Sequence, residues 1–157
     1  MRQLILLISL LLISCGGDSS TPKKKITYGQ KSTVETKTVD ENKTPFIDLS
    51  AVGIGPVESL TFTDYNQDLA ATGKDIFGQK CTACHKTDAR YIGPSLKGIY
   101  GRRNPAWVMN IMLNPTEMIK KDPIAIQLLK DYNNVVMYNQ NLTFDEARAL
   151  AEYFRDL

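Results

Sequence analysis

Cys81, Cys84 and His85 are the residues of this chain whose types and spacing could do chemistry. Two thiols stand three positions apart, and an imidazole directly follows the second. Residues i and i+3 of a helical turn share a face, so both sulfurs can reach one edge of a flat ligand while the histidine turns inward over it. This spacing is that of a c-type haem attachment motif, in which the sulfurs form thioethers and the imidazole binds iron.

Two other interpretations of the same residues need partners that the sequence does not supply. A zinc site takes four ligands, usually with a second Cys or His pair, whereas the chain has one histidine and only one further cysteine, Cys15. A thiol–disulfide motif of the thioredoxin type belongs in alternating strands and helices, and the apolar pattern of this chain does not show that alternation. The sequence therefore favours covalent haem.

Length and charge limit the remaining possibilities. The chain has 157 residues, enough for one domain with extensions. Its 19 Lys and Arg residues against 17 Asp and Glu leave a net charge of +2. That charge is too small to indicate a nucleic-acid partner.

The N-terminus is typical of an exported protein. Arg2 precedes an apolar run, Leu4–Ile13, which is too short to span a bilayer in the mature protein. We therefore predict a signal peptide over residues 1–14. The end of the run resembles the lipobox of bacterial lipoproteins, which implies that Cys15 becomes the lipid-modified first residue and that the protein is anchored to a membrane, facing the periplasm or the cell exterior. The alternative is an ordinary signal peptide that happens to contain a cysteine.

Composition and capping residues divide the rest of the chain. Residues 15–45 are polar and aperiodic, which predicts a disordered tether, and residues 46–66 suggest an extended segment packed on the domain. The haem domain is then 67–157. An N-cap at Asp64 or Asn66 predicts a first helix from Gln67 to about Cys81. Asn104-Pro105 begins a second helix, which Asn114-Pro115 ends, and Asp122-Pro123 begins a third. A Thr143/Glu146 capping box begins the last helix, whose apolar stripe is Phe144, Ala147, Ala151 and Phe154.

With these elements placed, the chain from about Gln67 onward resembles the class I monohaem cytochromes c. The resemblance implies an all-α cytochrome c fold, with four to five short helices around one haem bound through Cys81 and Cys84. It departs from the family at Tyr138, where a proline is frequent. The matching features are Gly73-x-x-x-Phe77, Cys81-x-x-Cys84-His85, Gly93-Pro94-x-Leu96-x-Gly98, and Met137 ahead of Leu142-Thr143-x-x-Glu146-x-x-x-Leu150-x-x-Tyr153.

The resemblance also implies roles for single residues. The carbonyl of Pro94 would accept a hydrogen bond from His85, and Met137 would be the second axial ligand of the iron. Met118, in what we expect to be a polar connection, is the rival to Met137, whereas Met112 belongs to an apolar helix face. Other residues with predicted roles are Arg102 or Trp107, as donors to the haem propionates, and Gly73, where the first and last helices would cross beside Phe77 and Tyr153.

The function implied is one-electron transfer without turnover of a small-molecule substrate. Donors and acceptors would be redox proteins, mainly membrane-bound. Two alternatives remain open at this point. One is a haem enzyme or gas sensor in which the methionine is displaced, and the other is a dedicated subunit of a larger respiratory enzyme.

Overall fold

The computed structural model describes residues 46–157, and within them it confirms an all-α fold. No described residue belongs to a strand, although Asp48 and Arg103 form an isolated parallel bridge. None of the helices in this range has the length and apolarity to cross a bilayer. The predicted signal peptide, Cys15 and the tether lie outside the described residues. The helices are α1 Gln67–Lys80, α2 Pro105–Leu113, α3 Pro115–Lys121, α4 Pro123–Asp131 and α5 Phe144–Tyr153, with 3₁₀ turns at Ile99–Gly101 and Phe154–Asp156.

Side-chain caps set the starts of four of these helices. Asn66, Asn104 and Asp122 each accept a hydrogen bond from a backbone N–H in the first turn of α1, α2 and α4. The capping box of α5 is complete: the Glu146 N–H donates to Thr143 Oγ1 at 3.1 Å, and the Thr143 N–H donates to Glu146 Oε2 at 2.8 Å. The starts predicted from these residues are confirmed.

The polar connection predicted after Asn114-Pro115 is wrong, because a fifth helix, α3, occupies it. Asn114 is both the C-cap of α2 and the N-cap of α3, so one residue ends a helix and begins the next. Met118 lies on α3, not on a connecting loop, and is completely buried.

Helices α1 and α5 cross at Gly73, where the backbones come into direct contact. A Cβ at Gly73 would collide with the carbonyl of Ala149. Phe77 packs beside the crossing, its ring centre 5.7 Å from that of Tyr153. The predicted α5 stripe is buried except for Phe144, which is 54 % exposed because it lies in the first turn, before the residues that pack against α1.

Residues 46–66, the N-terminal segment, have no regular helix or strand but are bound to α2 through one buried amide. The Val57 N–H donates to Asn110 Oδ1 at 3.0 Å. Asn110 Nδ2 donates to the carbonyls of Val52 and Val57, both at 2.8 Å. An amide that is 1 % exposed thus uses both donors and its acceptor on the backbone of the segment.

Candidate functional site

The two cysteines and the histidine lie on a turn that continues directly from α1. Cys81 is the C-cap of the helix, and its N–H donates to Phe77 O at 3.0 Å. The N–H groups of Cys84 and His85 both donate to Cys81 O, at 3.0 and 2.9 Å. Cys81 is half-buried and Cys84 is exposed, and no disulfide joins them. The turn therefore fixes three reactive side chains on one short, hydrogen-bonded piece of backbone.

The His85 imidazole is held by the carbonyl of Pro94. Its Nδ1 lies 3.1 Å from Pro94 O. A carbonyl oxygen only accepts, so Nδ1 carries the hydrogen in this contact and the lone pair of Nε2 stays available for a metal. A histidine that ligates iron needs this tautomer.

Gly93 allows the backbone to lie against the same ring. A Cβ at Gly93 would be 2.5 Å from His85 Cε1 and 2.8 Å from Nδ1. The Gly93 N–H donates to Cys84 O at 2.8 Å, which ties the glycine to the cysteine turn. Sequence reasoning placed Gly93 in the Gly-Pro loop but did not predict its contact with the imidazole.

Thr87 organises the loop that returns to Pro94, a role that no sequence pattern indicates. Its carbonyl accepts hydrogen bonds from the Ser95 hydroxyl at 2.9 Å and from the N–H groups of Leu96 and Lys97 at 3.1 and 2.7 Å. The residues after Pro94 are thereby fastened to the residues after His85. This closure keeps the Pro94 carbonyl in reach of the imidazole.

The electrostatics of Cys81 do not match those of a redox-active thiol pair. Before haem is attached, burial raises the pKa of the Cys81 thiol to about 11, so the thiol is neutral at neutral pH. A catalytic thiol needs the opposite shift, toward the thiolate. Across residues 46–157 there is also no group of three or more His, Cys, Asp or Glu side chains placed to hold a metal ion.

The methionines differ sharply in accessibility. Met109 and Met118 are fully buried and Met112 is 6 % exposed, whereas Met137 is half-buried. The sulfur of Met118 accepts a hydrogen bond from the Ile54 N–H at 2.9 Å. A Cβ at Gly53 would be 2.7 Å from its methyl group. Met118 is thus enclosed between α3 and the N-terminal segment.

Arg102 and Trp107 have hydrogen-bond acceptors within the protein. The Arg102 guanidinium donates to the carbonyl of Lys97 at 2.7 Å and to that of Ser95. The indole N–H of Trp107 donates to Asp122 Oδ1 at 3.1 Å, and Trp107 is 3 % exposed. Trp107 has a single N–H, so its only polar hydrogen is engaged within the core. The propionate role predicted for Arg102 stays a prediction.

These residues fit a covalently bound haem. The cysteine turn offers two sulfurs beside a histidine whose Nε2 lone pair is directed to metal binding by the Pro94 contact. Gly93 leaves no side chain against the imidazole. Cys81 and Met137 pack at the edge of the apolar core, whose buried members include Phe77, Leu96 and Ile99.

Comparisons with known proteins agree with this site. The family model for cytochrome c matches residues 70–157. A cytochrome c from Rhodothermus marinus is 40 % identical with a TM-score of 0.62, over 65 % of this chain and 88 % of that chain. An engineered form, described as bound to a carbene intermediate, is also 40 % identical, with a TM-score of 0.60 over 65 % and 88 % of the two chains.

A cytochrome c domain from Pseudomonas putida is 32 % identical with a TM-score of 0.50, over 54 % of this chain and 85 % of that one. No curated protein matches the chain. The family match takes in α1 from Ala70 onward, the cysteine turn, the Gly93-Pro94 loop and α5. The chain therefore belongs to the cytochrome c family and carries one covalently attached haem c.

Proposed function

We propose that this haem c electron carrier holds its iron between His85 and Met137. The observation that carries the proposal is the difference between the methionines: Met118 is enclosed, with its sulfur bound to the Ile54 N–H, whereas Met137 is half-buried on the loop before α5. A haem iron with His and Met in both axial positions exchanges single electrons and has no open site for substrate.

The protein's own residues serve this role by keeping one geometry. The Pro94 carbonyl fixes the tautomer of His85. Main-chain bonds to Cys81 O hold the turn that carries the ligand. A carrier whose ligands stay in place when its charge changes pays little reorganisation at each transfer.

Optical spectroscopy of the holoprotein with Met137→Ala tests the ligand assignment. We expect the ferric thioether charge-transfer band to disappear in this variant. Met118→Leu is the matched control, because a Met-to-Leu exchange nearly conserves side-chain volume in a core, and it should retain the band. Loss of the band in Met118→Leu with retention in Met137→Ala would transfer the assignment to Met118.

A second candidate function, a haem enzyme or gas sensor with a displaceable methionine, is favoured by the loop that bears Met137. Three non-glycine residues near it have left-handed φ angles: Asn133 at 57°, Asn134 at 58° and Asn141 at 51°. Such conformations are uncommon outside glycine, although asparagine adopts them more readily than other residues. Rapid, tight binding of carbon monoxide by the ferrous protein at neutral pH would favour this function; slow, weak binding would favour the electron carrier.

We further propose that the chain is exported and anchored through Cys15, so that the haem domain meets membrane-bound redox partners. The support is the short apolar run Leu4–Ile13, which ends close to Cys15. Acylation at more than one position would make the attachment stable. Labelling with a fatty-acid analogue should mark the wild type but not Cys15→Ala, and a labelled variant would refute the anchor. Stable co-purification with one respiratory complex would instead identify a dedicated subunit.

A further inference from the structure

Arg90 joins the loop that follows His85 to the end of α4. It lies five residues after His85, and its guanidinium carbon is 3.8 Å from the centre of the Tyr132 ring. Its Nη2 also donates a hydrogen bond to the carbonyl of Asp131 at 2.6 Å. Tyr132 in turn lies five residues before Met137. One side chain thus connects the two stretches of backbone that carry the proposed axial ligands.

We propose that Arg90 is a positioning residue: with Asp131 and Tyr132 it forms a clasp, here called the Arg90 clasp, that slows the departure of Met137 from the iron. The inference rests on the proposed ligation by His85 and Met137. It adds a residue that touches neither ligand and acts through the backbone between Tyr132 and Met137.

The chemistry of the clasp requires arginine. A guanidinium can stack on an aromatic face and donate in its own plane at the same time, which an ammonium cannot do. The accepting carbonyl belongs to the last residue of α4, where the helix dipole places a partial negative charge. Charge, stacking and the hydrogen bond therefore all act on the same end of the helix.

The clasp is continuous with the start of the methionine loop. The Val135 N–H donates to Tyr132 O at 3.1 Å, and the Asn134 N–H donates to Leu129 O at 2.8 Å. Movement of Tyr132 would disturb the Val135 bond directly and the Asn134 bond through the backbone that joins Tyr132 to Asn134. Lys86 is a comparison residue that makes a similar contact within one loop. Its ammonium lies 5.0 Å from the ring of Tyr91 in the same loop, so it links no second element.

Imidazole binding to the ferric holoprotein measures the effect. At saturating imidazole the limiting rate reports how often the protein's own ligand leaves. We expect Arg90→Ala to raise this rate about tenfold, Arg90→Lys to raise it by a smaller factor because the stacking and planar donation are lost, and Lys86→Ala to leave it unchanged. Equal limiting rates in the wild type and Arg90→Ala would overturn the proposal.

Hydrogen exchange provides a readout that does not depend on the iron ligand. In Arg90→Ala the amides of Asn134 and Val135 should exchange about tenfold faster, with little change at amides in the middle of α5. If the wild type shows no limiting rate and no thioether band, the proposed ligation fails while the exchange data still test the clasp. If the wild type shows both, and neither rate nor exchange changes in Arg90→Ala, the clasp alone is wrong.

Discussion

At the scale of single residues, the His85 ring is positioned mainly by backbone atoms. Pro94 contributes its carbonyl, and Gly93 contributes the absence of a side chain against the ring. The size of a side chain at position 93 therefore matters more than its polarity. Any Cβ there must move either the imidazole or the loop.

We predict that Gly93→Ala destabilises the holoprotein by about 1–3 kcal/mol, the usual cost of overpacking, and shifts its reduction potential because the imidazole must move. Urea unfolding and redox titration measure the two effects. Gly101→Ala is the matched control, since a Cβ at Gly101 would meet nothing within 4 Å. Equal stability and potential in Gly93→Ala and the wild type would show that the ring does not depend on this contact.

At the scale of elements, the predictable features were local and the missed ones depended on distant partners. The caps at Asn104, Asp122 and Thr143 could be predicted because each side chain bonds to backbone in its own first turn. The Asn114-Pro115 pair fits both the end and the start of a helix, and the sequence alone favoured only the end. The burial of Met118 depends on Ile54, 64 positions away, which no local pattern encodes.

The same distinction applies within the candidate site. Cys81, Cys84 and His85 form a motif in consecutive sequence, so their shared role could be predicted. The partner of Trp107 could not, because Asp122 is the N-cap of another helix, 15 positions away, and reaches the indole only in the folded domain. The Arg90 contact with Tyr132 likewise joins residues far apart in the chain.

For the α1–α5 crossing, we predict that Gly73→Ala lowers the free energy of unfolding by about 3 kcal/mol, because the added methyl meets backbone that cannot rotate away. Gly78→Ala, in the same helix with open space around the added atom, should instead be neutral or stabilise the protein by up to about 1 kcal/mol. Chemical denaturation of both variants gives the comparison. A Gly73→Ala protein as stable as Gly78→Ala would contradict the described crossing.

At the scale of the whole molecule, a buried carboxylate links the last residue of the N-terminal segment to α5. Glu152 is completely buried, and its Oε1 accepts from the Asn66 N–H at 3.0 Å and from Arg155 at 2.5 Å. Arg148 lies 2.6 Å from Oε2. Burial acts to raise the pKa of Glu152, but the Asn66 and arginine hydrogen bonds outweigh it and hold the pKa below its ordinary value of 4.5.

A carboxyl whose pKa is lowered on folding stabilises the protein above the unfolded pKa and loses that contribution as the pH falls through the folded value. We therefore expect the free energy of unfolding to decline with acidification below about pH 5. Glu152→Gln should flatten this decline and cost about 3 kcal/mol at pH 7, where it leaves two arginines without their carboxylate. Urea titrations at several pH values measure both. An unchanged acid slope in the variant would assign the decline to other groups.

The Asn110 amide also determines how the domain would respond to mechanical load. A pull on the chain upstream of Phe46 first loads the bonds that hold Phe46, Asp48 and Leu49 to residues 102–104, and then those from Asn110 to Val52 and Val57, before it can reach α1. If those bonds rupture, residues 46–66 can extend to a full length of about 70 Å while the cysteine turn is still unloaded. A segment that extends in this way would yield under tension first and protect the haem ligands from the load.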